Sequence, residues 1–140
     1  MDGPRQNANL NRLRAVPANT SAAAAGSKLL VGPRFLPRLF YGPYWVVAVS
    51  PDKPREAGDD AGEGYDWAVV SGGQPTLPTS EGKCRTGDGV NGSGLWLFSR
   101  EKVAGDATIA AMMAVLDEKG FDASVLEPVT QEGCRYPDEL

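Results

Sequence analysis

No histidine occurs among the 140 residues, and cysteine occurs only twice. Without imidazole the chain lacks the usual general base near neutral pH, the commonest metal ligand and the Ser or Cys triads that depend on His. Most hydrolase chemistry is thereby excluded. Cys84 and Cys134 stand far apart and no C-x-x-C pair exists, so a zinc site is not expected. Long apolar runs are missing as well. Those around Tyr44 to Val49 and Ile109 to Leu116 fall well short of the roughly 20 residues that a spanning helix needs. Nor is there a basic surplus: 14 Lys and Arg face 18 Asp and Glu, a net charge of −4, which argues against broad nucleic-acid binding. Residues 1–14 carry neither the apolar core nor the small-residue cleavage pattern of a secretory signal.

What is present fits one folded domain rich in turns. Apolar residues make up 41%, and 17 Gly with 11 Pro reach a fifth of the chain, below the level that suggests disorder. Charge is divided unevenly. Up to Pro51 there are six Lys and Arg against one acid; beyond it, eight face seventeen.

Along the chain, residues 1–26 read as an N-terminal segment, a weak strand over Asn7 to Val16 and then a loop of small residues from Pro17. The main domain is expected over 27–140. Lys28 to Val31 starts a strand, which Gly32, Pro33 and Pro37 are expected to break. Tyr44 to Val49 is the clearest strand, aromatic and β-branched between Pro43 and Pro51. An acidic connection over Ser50 to Gly64 leads to a strand at Tyr65 to Val70, whose partner is Leu95 to Ser99 across an unusually long connection. After Arg100 the period changes. Asp106 is placed to cap a helix over 106–119 whose Ile109, Met112, Met113 and Leu116 fall on one face, expected to pack in the core, and Gly120 stops it. Val125, Leu126 and Val129 suggest a short edge strand. The glycines from Gly87 to Gly94 precede a strand rather than a helix, so they read as a turn and not a phosphate loop. Asn19 and Asn91 open formal glycosylation triplets, relevant only in a secretory pathway. Asp59, Asp60 and Glu63 read as solvated charge.

The succession Tyr65-Asp66-Trp67-Ala68-Val69-Val70, then Leu95 to Arg100, an Asp-led helix and Gly120 to Cys134 resembles the C-terminal part of lipocalins, and within them the plastid lipocalins of plants and algae. The similarity covers about Leu29 to Tyr136. It implies an all-β fold with one α-helix: an antiparallel lipocalin-like (calycin) barrel or partial barrel, with the helix against its outer face. Tyr65, Asp66 and Trp67 stand where the family has its second motif, and Arg100 matches the basic residue of the third. The G-x-W motif on which that arginine normally packs is absent, and the match spans roughly five strands of eight.

The resemblance implies a non-enzymatic binder of a lipophilic molecule, a lipid, carotenoid or chlorophyll, with Tyr44, Trp45, Trp67, Trp96 and Phe98 as candidate wall residues. The alternative is an accessory subunit of a photosynthetic membrane complex, partnered by photosystem or light-harvesting subunits and in peripheral membrane contact, with the apolar, Pro-rich segment Phe35 to Pro43 needing a protein or membrane surface. Either reading places the chain in the plastid, on the thylakoid lumen side. There Cys84 and Cys134 are candidates for a disulfide worth about 4 kcal/mol in the chain-entropy model. Two unrelated thiols, or a Cys134 partner in an upstream half, are the other readings.

Overall fold

A computed structural model describes residues 13–18, 26–51, 64–89 and 91–133. Seven strands and one α-helix follow in the order β1 (Leu13–Pro17), β2 (Lys28–Pro33), β3 (Gly42–Val49), β4 (Trp67–Ser71), β5 (Leu77–Pro78), β6 (Cys84–Arg85), β7 (Leu95–Ser99) and α1 (Asp106–Glu118). Five of them form an antiparallel sheet in the order β1-β2-β3-β4-β7; β5 and β6 make a separate hairpin. The architecture is antiparallel β with one helix. Among the described residues β1 and β7 do not meet, so the sheet is open and no closed barrel forms.

The expected pairing of Tyr65–Val70 with Leu95–Ser99 is present as β4 with β7, although β4 begins at Trp67. β2 runs on through Gly32 and Pro33 instead of breaking there. Pro33 is the strand's last residue, where a missing N–H costs no ladder bond, and Gly32 leaves room for the Tyr41 ring, which a Cβ would meet at 2.4 Å. Of the weak N-terminal strand, Leu13 to Val16 lies in β1; Asn7 to Arg12 fall outside the described residues. A bulge in β3 between Val46 and Ala48 inserts Val47, which packs on the core.

The core is small. Val69 in β4 packs with Met112 and Leu116 of α1 and with Phe121, while Val47, Trp67, Leu95, Leu97, Val115 and Leu126 close around them. Leu116 and Val69 are fully buried, each such side chain contributing roughly 1.5–3 kcal/mol. The helix is capped by Gly105, and Asp106 occupies its first turn without a side-chain cap bond, one position later than expected. Its end matches the reading. Gly120 (φ +73°) takes the left-handed C′ place, its N–H donating to the Asp117 carbonyl and that of Phe121 to the Leu116 carbonyl. Phe121 then folds onto Leu116 in the core.

Two further expectations are corrected. Ile109 and Met113 are exposed rather than buried, because the helix rests mainly on β4 and presents only Met112, Val115 and Leu116 to it. Val125 to Val129 form no strand: Ala123–Val125 is a 3-10 turn opened by Asp122, whose carboxylate accepts the Ser124 N–H at 2.9 Å. The long connection from Ser71 to Gly94 is ordered by the β5–β6 hairpin. Cys84 bonds through its N–H to the Gly120 carbonyl and through its carbonyl to the Asp122 N–H, pinning the hairpin to the end of α1.

Candidate functional site

Strand alternation sorts the five candidate wall residues. Trp67 and Val69 face α1, and so do Leu95 and Leu97, which lie across from Ser71 and Val69. Ala68, Val70, Trp96 and Phe98 therefore face the other way. Val46 pairs with Val70, which carries Tyr44 onto that second face, opposite Leu29; Trp45 pairs with Ser71 and turns to the helix side. Trp45 and Trp67 are thus not wall residues with the other three. Trp67 is part of the core, and Trp45 holds the Lys28 ammonium 4.0 Å above its ring.

Trp96 and Phe98 both remain substantially exposed and, from the far side of the strand, border an apolar groove of about 820 Å³ at the β7 edge. It runs along β7 under the flank of α1, where Ile109 and Met113 form one wall and Leu126 and Val129 of the tail the other. Tyr44 is not among its lining residues. The wall residues missed from the sequence, Ile109, Met113, Leu126 and Val129, had a faint signal: four apolar positions on α1 exceed what one strand beneath it can cover. Arg100, Glu101, Lys102 and Glu127 set charge on the rim.

The floor of this groove is a free sheet edge. The Gly72 N–H donates to the Gly94 carbonyl and that of Arg100 to the Asp66 carbonyl, so the hydrogen-bonded pairs between β4 and β7 are those of the even-numbered residues. The N–H and C=O groups of Leu95, Leu97 and Ser99 point outward, where no strand follows among the described residues. The β1 edge differs. Of its outward positions Leu13, Ala15 and Pro17, the last has no N–H and its carbonyl accepts Arg38 Nη2 at 2.6 Å, which leaves that edge only two residues long.

The motif residues come together at one end of the sheet. Arg100 Nε donates to the Tyr65 carbonyl at 2.6 Å, and the Asp66 N–H donates to Ser50 Oγ at 2.7 Å. Arg100 thus fastens the entry to β4 rather than covering a tryptophan. Cys84 is half-buried in β6, and Cys134 lies outside the described residues, as do Asn19, Asp59, Asp60 and Glu63. Among the described residues no three His, Cys, Asp or Glu side chains gather as a metal site, and no helix is long and apolar enough to cross a membrane.

Compared with protein-family models, curated proteins and solved structures, the chain finds no match in any of the three.

Proposed function

We propose that the chain is a non-enzymatic, lipocalin-like binder of a lipophilic small molecule, a lipid, carotenoid or chlorophyll. The observation that supports it is the groove along β7: apolar side chains of α1 and the tail on its flanks, Trp96 and Phe98 bordering it at the strand edge, and a few backbone donors and acceptors at Leu95, Leu97 and Ser99. A cavity of several hundred Å³ with apolar walls and few polar groups suits such a ligand. Tryptophan fluorescence titrated with fatty acids and carotenoids tests it. Saturable quenching is expected, lost in Trp96→Phe and kept in Trp45→Phe, since only Trp96 borders the groove. No saturable change with any of these ligands overturns the reading.

The second reading is an accessory structural subunit of a photosynthetic membrane complex on the thylakoid lumen side. The open β7 edge favours it, being a ready template for a strand from photosystem or light-harvesting subunits. A purified chain that runs as a monomer and unfolds in one cooperative transition would remove this reading.

A further inference from the structure

The connection between β2 and β3 carries a feature that the ligand groove does not use. Within six residues Phe35, Leu39 and Phe40 are 76%, 87% and 58% exposed, and Leu13, across from Pro33 at the same end of the sheet, is 64% exposed. Single exposed apolar residues are ordinary on a protein surface, but four large ones at one tip are not.

Part of the backbone beneath them is already bonded. Leu36 N–H donates to the Pro33 carbonyl, Phe40 N–H to that of Pro37 and Tyr41 N–H to that of Arg38, at 3.0, 3.0 and 3.1 Å. Pro33 and Pro37 have no N–H to desolvate. Buried Tyr41, seated on Gly32, anchors the tip to the sheet. A wedge built this way enters a low-dielectric layer at little polar cost.

Charge identifies the layer. Arg14 and Arg34 stand beside these side chains, Arg38 being held on the Pro17 carbonyl, and the sequence holds no acid from Gly3 to Pro51. The loop whose Asn91 lies against Gly42 carries the acid Asp88, but both its oxygens accept bonds from Arg85 at 2.5 and 3.1 Å. We propose that the Arg34–Phe40 tip is a membrane-docking wedge: Phe35, Leu39 and Phe40 enter the interfacial region of an anionic bilayer while Arg14 and Arg34 meet its headgroup phosphates. The inference stands independently of the ligand groove.

Sedimentation of the full chain with vesicles of phosphatidylcholine alone, or of phosphatidylcholine mixed with phosphatidylglycerol, tests it. Stronger binding to the anionic vesicles is expected, weakened by salt. Phe35→Ser combined with Leu39→Ser should lower the partition coefficient about tenfold or more, and Val125→Ser, an exposed apolar position elsewhere, should leave it unchanged. Arg34→Glu should weaken binding to the anionic vesicles alone, which a general loss of folding would not produce. No binding to either vesicle, as expected of a patch that serves a protein partner, overturns the proposal. So does a Phe35→Ser, Leu39→Ser variant that binds like the parent chain.

Discussion

Trp96 owes the placement of its ring to a glycine two positions earlier. Gly94 has φ +103°, and a Cβ there would come within 2.4 Å of the far edge of the Trp96 ring. In Gly94→Ala the ring can swing aside but the backbone cannot relax, so the variant should lose about 1–3 kcal/mol of stability and shift its tryptophan emission; denaturant unfolding followed by fluorescence checks both. At this scale the sequence was legible where chemistry acts through the main chain's period. Alternation places Trp67 and Val69 on one face, and the register does the same for Trp96 and Phe98. It was not legible for Trp45, whose face follows from its pairing with Ser71. Arg100 shows the same limit: a basic residue at the end of β7 is readable, but its bond to the Tyr65 carbonyl is a product of folding.

The helix separates two kinds of apolar residue that its sequence spacing merges. Leu116→Ala should cost about 2–5 kcal/mol as a core truncation, whereas Ile109→Ala and Met113→Ala, both on exposed positions, should each cost less than about 1 kcal/mol; urea unfolding of the three variants makes the comparison. The helix stop was readable because Gly120 is the one residue there that takes a positive φ without strain. Its start was not, since Gly105 caps through extended backbone and leaves Asp106 in the first turn. The tie between α1 and the β5–β6 hairpin was also invisible, as its parts are 34 positions apart: Lys83 Nζ meets Asp117 Oδ1 at 2.7 Å. That hydrogen bond and charge hold the Asp117 carboxyl below its ordinary pKa and the Lys83 ammonium above its own. The carboxylate's contribution is therefore present above the ordinary carboxylate range and drains away as pH falls through the depressed value. The ammonium's is complete below the ordinary lysine pKa and is lost as pH rises through the raised one. Asp117→Asn should accordingly melt slightly below the parent chain at neutral pH, with a gap that narrows toward acid. The gap is small because the pair is exposed; thermal melts across that range measure it.

For the whole molecule, the pairing of β4 with β7 and the helix after Arg100 were readable from hydropathy period and turn residues, whereas the antiparallel meander from β1 to β4 was expected only from the lipocalin resemblance. The groove was not. It depends on the unpatterned run after the Ala123–Val125 turn, which carries Leu126 and Val129 back beside β7, and no periodicity marks such a course. The two sheet edges differ in degree: Pro17 blunts one end of β1 and leaves Leu13 and Ala15 open, while Leu95, Leu97 and Ser99 of β7 all keep outward N–H and C=O groups beside the groove. Ligand binding at that edge is the central proposal. Photolabelling the intact chain with a diazirine-bearing fatty acid, followed by peptide mass spectrometry, tests it most directly. Adducts concentrated on Trp96, Phe98, Met113 and Val129, and displaced by unlabelled fatty acid, are the predicted result; adducts scattered over the surface or unaffected by competitor would contradict it.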